Sequence, residues 1–197
     1  MPKNVMVVGT GTIGEPLIGL LAEHKDALGL DNVLFFKRTP LSDEKGKVEA
    51  LLRKGSKIVS SSDALSDFKQ LGFSEIEDVD NAYEDADVII DCTPSGNENW
   101  KSIYSSLDQS KRFMAQGSEH GFGQFFAWGI NNDVLENGSN KYLIASCNTH
   151  NIASIVKTFA LDQGRELVEG QFVCLRRAND VSQNDSFSPS PTITKHS

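Results

Sequence analysis

Long apolar runs, basic tracts and paired cysteines are all scarce in this chain. No window approaches the roughly 18 consecutive apolar residues that a membrane span needs, so a membrane partner is not expected. Lys and Arg number 19 against 27 Asp and Glu, a formal net charge of -8. With no basic tract to offset that balance, nucleic acid is excluded as an expected partner. The three cysteines, Cys92, Cys147 and Cys174, are odd in number and form no CxxC pair. That speaks against a disulfide framework and for a reducing, cytoplasmic setting. Met1-Pro2-Lys3-Asn4 runs straight into a short strand pattern, so no signal peptide is expected. Neither an internal repeat nor a metal-ligand set is evident.

The rest of the composition suits a soluble globular protein, with 39% hydrophobic and 23% charged residues. A chain of 197 residues holds one domain and part of a second. Val5 to Val8 is a short apolar run closed by Gly9, as a buried parallel strand would be. A helix is predicted over 13–28, with Pro16 in its first turn and Gly29 just past its end. Further strands are predicted at 32–36, 56–59, 86–92, 112–115 and 142–145, and helices at 44–54, 64–71, 100–107 and 151–162. A half-buried strand is expected over 167–175, and the Ser-, Asn-, Asp- and Pro-rich stretch 179–197 reads as loop or disorder. Strands alternating with helices predict an α/β fold, a Rossmann-type doubly wound parallel sheet over 1–145. The pattern changes near Ser146, so 146–197 is expected to begin an α+β catalytic domain.

Gly9-Thr10-Gly11-Thr12-Ile13-Gly14 stands between the first strand and the first helix. Gly9 allows the tight turn, Gly11 lets a pyrophosphate approach the backbone, and Gly14 lets the helix pack close to the sheet. The phosphates then face the helix N-terminus, with its free N–H groups and roughly half a positive charge. The bland alternative is a glycine turn in a fold that binds no nucleotide. At the end of the second strand an NAD enzyme usually places Asp or Glu. Here stand Lys37, Arg38 and Thr39, two cations and a hydroxyl that suit a 2′-phosphate. NADP is therefore favoured, with NAD possible. The alternative is that Lys37 and Arg38 are ordinary solvated charges.

Cys147 lies in Ala145-Ser146-Cys147-Asn148-Thr149-His150, after a predicted strand and before a predicted helix. A helix N-terminus favours a thiolate over a thiol. Asn148 and Thr149 add donors for a substrate oxygen or phosphate. On composition alone a lone cysteine is more often a small buried hydrophobe. Cys92 and Cys174, both in apolar strand patterns, fit that description better.

Together these motifs resemble the archaeal-type (type II) phosphorylating glyceraldehyde-3-phosphate dehydrogenases. The matching segments are Gly9 to Gly14, Asp91 to Gly96, Gln116 to His120, Ser146 to Thr149 and Arg176 to Asp180, in the family's order. The resemblance implies that Thr12 and Ile13 lie at the cofactor phosphates and that Lys37 and Thr39 contact the adenosine phosphate. It implies that Gly117 sits beside the nicotinamide, and Arg177 (less surely Arg176) near the cofactor; a surface ion pair is the alternative for those arginines. Cys147 is implied as the nucleophile, with Ser146, Asn148 and Thr149 binding substrate.

The implied reaction is a step of glycolysis. The Cys147 thiolate adds to the aldehyde carbon of glyceraldehyde 3-phosphate, hydride leaves for the nicotinamide, and inorganic phosphate cleaves the thioester. The family also implies a homo-oligomer, a tetramer. Semialdehyde dehydrogenases and acyl-phosphate reductases share the glycine loop and the cysteine, but their nucleophile flanks usually differ. A dinucleotide-binding module without the chemistry is a further alternative.

The pattern departs from the family in its histidines. His24 falls in the first helix, His120 follows the Gln116-Gly117 motif, and His150 is too near Cys147 in sequence to be a usual base. His196 is a weak match to a substrate-binding segment. The base itself is expected beyond Ser197, the chain resembling the amino-terminal portion of a family member. Nucleotide binding with little or no turnover is the expectation for these 197 residues alone.

Overall fold

The computed structural model describes residues 3–116, 119–162 and 164–173. It divides into two units, Met1–Cys147 and Asn148–Ser197.

The first unit is built on eight parallel strands: β1 (Asn4–Val8), β2 (Asn32–Phe36), β3 (Lys57–Ser60), β4 (Ile76–Asp78), β5 (Val88–Asp91), β6 (Arg112–Gln116), β7 (Gln124–Phe126) and β8 (Lys141–Ile144). Their order across the sheet is β4-β3-β2-β1-β5-β6-β8-β7. β1 is central, and all five of its residues are buried, because both faces of a parallel sheet are covered.

Alternate residues of β1 enter different cores. Val5 and Val7 join Val33, Phe35 and Ile58 against α1 (Gly14–Glu23), α3 (Lys45–Arg53) and α4 (Leu65–Gln70), through Ile18, Leu51 and Phe68. Met6 and Val8 join Ile89, Phe113 and Leu143 against α5 (Val79–Asp85), through Ala82 and Tyr83, with Trp100 of α6 (Gly96–Ser102) packed beside them. The period of two in the strands thus produces two hydrophobic layers on opposite faces, the doubly wound α/β arrangement. Each fully buried aliphatic such as Ile18 contributes on the order of 2 kcal/mol of transfer free energy. On the second face Trp100 stands edge-on to Phe113 at 5.2 Å and to Phe122 at 5.9 Å, and the Lys141 ammonium lies 3.9 Å from the Trp100 ring centre.

Several elements differ from the sequence reading. The first helix breaks at His24 and resumes as α2 (Lys25–Leu28). Gly29 then closes it in the left-handed region at φ +65°, with its N–H donating to Asp26 O and that of Leu30 to Lys25 O. β4, α5 and β7 were not anticipated. α5 starts where the Asp78 carboxylate accepts the Asp80 N–H at 2.9 Å. It ends where buried Lys111 donates to the carbonyls of Glu84 and Ala86, at 2.6 and 2.9 Å. The helix expected over 100–107 is instead α6 and a 3-10 turn, Tyr104–Ser106.

α7 (Cys147–Val156) starts four residues earlier than the sequence suggested and passes into a π-helical turn, Lys157–Leu161. The strand expected over 167–175 does not form: residues 167–173 take no regular structure, and 174–175 lie outside the described residues, as does 179–197. No helix of the described residues is long and apolar enough to cross a membrane.

Candidate functional site

A parallel sheet sends every strand's carboxyl end to one edge, so the loops after β1, β2, β5, β6 and β8 share that edge. The strand order reverses between β2 and β5, on either side of β1, the switch point where open α/β sheets leave a crevice. A hollow of about 690 Å³ lined by Ser56, Phe73 and Ile76, among others, lies at the opposite edge, by the amino ends of β3 and β4. Its surroundings carry none of the motif residues.

The glycines of the first loop differ in what confines them. Gly9 has φ +97°, and a Cβ there would lie 3.0 Å from Thr93 Cγ2. A Cβ on Gly14 would meet Gly9 O at 1.9 Å and Cys92 Cβ at 3.3 Å. Both are therefore fixed by the protein's own packing. A Cβ on Gly11 would meet nothing within 4 Å, and Gly11, Thr12 and Ile13 are exposed. That is the open backbone a ligand's phosphates require, at the start of a ten-residue helix whose N-cap, Ile13, makes no side-chain capping bond. The residues present thus fit a dinucleotide's pyrophosphate.

Beside this loop, the turn after β5 is fixed by a fully buried carboxylate. Asp91 Oδ1 accepts from the Thr93 N–H at 2.8 Å and its hydroxyl at 2.6 Å; Oδ2 accepts from Asn99 Nδ2 at 2.7 Å and the Tyr104 hydroxyl at 2.8 Å. Burial, with Asp91 adjacent, raises the Tyr104 hydroxyl pKa far above the ordinary tyrosine value. Burial likewise pushes the Cys92 thiol up to about 12, which makes it an inert core sulfur. Glu119 is also buried and accepts the Asn97 N–H at 2.9 Å, tying the residues after β6 to the start of α6. Sequence reasoning passed over the roles of Asn99 and Tyr104. Their only signal was polar residues spaced after an Asp at a strand end.

The loop after β2 places its two cations in different surroundings. Lys37 is 8% exposed rather than solvated, and its ammonium is hydrogen-bonded to the Glu44 carboxylate. Arg38 and Thr39 are exposed. Lys47 of α3 reaches Glu44 at 3.5 Å and Glu15, in the first turn of α1, at 3.2 Å. The bond from Lys37 is the main reason the Glu44 carboxyl is held below its ordinary pKa. Partial burial pulls the Lys47 pKa down, but Glu15 and Glu44 together outweigh it and raise it. Glu44, Lys47 and Glu15 were missed because pairing across a loop and two helices leaves no periodic trace.

Cys147 is exposed and is the first residue of α7, three residues beyond the end of β8. Three inter-strand spacings separate β1 from β8, on the order of 14 Å. Ser146 is half-buried, and Asn148 and Thr149 are exposed in the first turn of α7. His24 and His120 are exposed, and His150 is half-buried one helical turn from Cys147. Gly117, Cys174, Arg176, Arg177 and His196 lie outside the described residues. Among the described residues no cluster of His, Cys, Asp and Glu forms a metal site.

No family model matches the chain. It is similar to archaeal proteins named glyceraldehyde-3-phosphate dehydrogenase, over the amino-terminal portion of those longer chains. The protein of Pyrobaculum calidifontis is 27% identical over 197 residues, 96% of this chain and 54% of that one. That of Sulfolobus acidocaldarius is 28% identical over 184 residues, 91% of this chain and 50% of that one. Glyceraldehyde-3-phosphate dehydrogenase 1 of Methanosarcina acetivorans is 26% identical over 178 residues, 90% and 50% of the two chains. The chain thus spans about half the length of the curated relatives it matches. Among solved structures, Haloferax mediterranei glucose dehydrogenase in complex with NADP, Zn and gluconolactone aligns with 80% of this chain and 41% of that one. The identity is 18% and the TM-score 0.44.

Proposed function

We propose that this chain is the coenzyme-binding part of an NAD(P)-dependent oxidoreductase of the phosphorylating glyceraldehyde-3-phosphate dehydrogenase type, with Cys147 as its nucleophile. One observation carries the reading. The glycine loop and an exposed cysteine that opens a helix lie on the same carboxyl edge of one parallel sheet, three strands apart. An extended dinucleotide with its pyrophosphate at Gly11 runs along that edge toward β8. Similarity to dehydrogenases of that name over nearly the whole chain supports the same conclusion.

In this reading Gly11, Thr12 and Ile13 present backbone to the pyrophosphate. Arg38 and Thr39 are the exposed groups at the adenosine end; by the family resemblance Gly117 is assigned beside the nicotinamide and Arg177 near the cofactor. When bound, the coenzyme accepts the hydride that leaves the substrate carbon. The chain supplies the rest of the covalent chemistry through one atom. The Cys147 thiolate forms a C–S bond to the aldehyde carbon, the carbonyl oxygen takes the negative charge, and loss of hydride leaves a thioester. Inorganic phosphate then attacks the thioester carbon, and the C–S bond breaks to return the thiolate and release an acyl phosphate. Ser146, Asn148 and Thr149 are the donors for the substrate's oxygens.

Two measurements test this together. NADP or NAD should raise the melting temperature relative to the protein alone. Iodoacetamide should label Cys147 at least about tenfold faster than Cys92, since the thiolate is the nucleophile. Absence of any nucleotide shift sinks the coenzyme site. Nucleotide binding with Cys147 no more reactive than Cys92 removes the dehydrogenase chemistry and leaves a binding module.

A further inference from the structure

The residue after β2 is where a carboxylate usually meets the ribose hydroxyls of NAD, and this chain has Lys37 there. The fold nevertheless brings a carboxylate back to that point. After Thr39-Pro40 the chain turns through a 3-10 segment, Ser42–Glu44, and delivers Glu44 onto the Lys37 ammonium. Lys37 is held along its backbone as well: its N–H donates to Val59 O at 3.1 Å, and the Ser60 hydroxyl donates to its carbonyl at 2.8 Å. Lys47 closes the set by joining Glu44 to Glu15 at the foot of the glycine-loop helix. Two ammoniums and two carboxylates alternate, so the group carries no net charge.

We infer that Glu44 is a specificity-determining residue of the coenzyme site: by occupying Lys37 it opens the adenosine-ribose end to a 2′-hydroxyl as well as to a 2′-phosphate. This rests on the reading that the glycine loop holds a dinucleotide. The reasoning is electrostatic. A 2′-phosphate brings about -1.5 to -2 charges. It meets a cation already neutralised by a carboxylate, and that carboxylate repels it. Arg38 is left as the exposed cation of the loop. A 2′-hydroxyl suffers no such repulsion and donates to a carboxylate. Without the Glu44 charge, Lys37 is released to pair with phosphate and the balance tips toward NADP.

Calorimetric titration of the 197-residue chain with NADP and with NAD tests this, comparing wild type, Glu44→Gln and Glu44→Asp. The expected result is a rise of about tenfold in the NADP-over-NAD preference for Glu44→Gln, the size of one additional charge-assisted hydrogen bond. Glu44→Asp, which keeps the charge, should stay near wild type. Adding Lys37→Met to Glu44→Gln should abolish the rise. If both nucleotides bind but the ratio is unchanged in Glu44→Gln, or both affinities fall equally, Glu44 is only structural and the inference fails while the glycine loop stands. If neither nucleotide binds wild type, the coenzyme site falls and the inference with it.

Discussion

The loops after β5 and β2 each end a strand beside the glycine loop, and each is organised by one carboxylate, but the two carboxylates sit in opposite surroundings. Asp91 is fully buried and takes four hydrogen bonds from Thr93, Asn99 and Tyr104, none of them charged. Glu44 is 26% exposed in its side chain and is held by two ammoniums. A buried charge satisfied by short neutral donors has one low-energy arrangement, since losing any donor leaves desolvated polar atoms unpaired. A half-exposed ion pair has alternatives, because water and salt compensate when it opens. The loop after β5 is therefore the fixed wall of the crevice and the loop after β2 its adjustable wall. The proposed coenzyme site would use the same division, since a pyrophosphate needs an immobile seat and the ribose end must discriminate.

The strongest attempt to break this comparison is Gly14→Ala. The added Cβ would lie 1.9 Å from Gly9 O, a backbone atom that cannot swing away, so the helix must shift against the sheet. Overpacking of that kind costs about 1–3 kcal/mol or more, and nucleotide binding should be lost with it. Urea unfolding and nucleotide titration on the same sample check both. By contrast Gly11→Ala, with nothing within 4 Å, should leave stability almost unchanged and weaken only nucleotide binding. If Gly14→Ala proves as stable as Gly11→Ala, the fixed wall is not fixed.

Much of the sheet and first helix was legible in the sequence. Val5 to Val8 followed by glycines announces a strand and a turn through local pattern alone, and Gly29 announces a helix end because glycine adopts the left-handed φ found there at little cost. The apolar strand around Cys92 already marks it as inert. What escaped were elements too short to show a period, such as β4 and β7 with three residues each. α5 escaped too, because its acidic sequence hides the apolar stripe of Val79, Ala82 and Tyr83. The adjustable wall was legible only in part, for a different reason. Lys37 and Arg38 look alike in sequence, and only the turn that returns Glu44 makes one buried and paired and leaves the other exposed. Local rules find what neighbours in sequence decide, and the charge state around Lys37 is decided by a carboxylate seven positions away.

A smaller effect is expected at Asp91. Tyr104→Phe removes one donor and leaves Oδ2 with Asn99. The loss should be about 1 kcal/mol, the net worth of a hydrogen bond, or somewhat more because the acceptor is charged. Asp91→Ala strands the fully buried Tyr104 hydroxyl and leaves the Asn99 amide only its longer bond to Thr93 Oγ1, and should cost about 3 kcal/mol or more. Thermal unfolding of the two variants orders them. Equal losses would mean that the Asp91 network is held by Tyr104 alone.

The smallest effect belongs to Glu44, and pH sharpens it. Its carboxyl is held below the ordinary value of 4.5, chiefly by Lys37. A group with a lowered native pKa binds its proton less readily when folded. It therefore stabilises the protein above pH 4.5, and that contribution fades as pH falls through the lowered native value. Wild type should accordingly exceed Glu44→Gln in stability near neutrality by a fraction of a kcal/mol, about what a partly exposed pair contributes. The gap should close in acid and narrow with added salt. Asp91→Ala should respond differently: its deficit depends on buried hydrogen bonds and should change little with salt, because screening acts on exposed charges and not on desolvated ones. If salt narrows the two deficits alike, the distinction between the fixed and adjustable walls loses its physical basis.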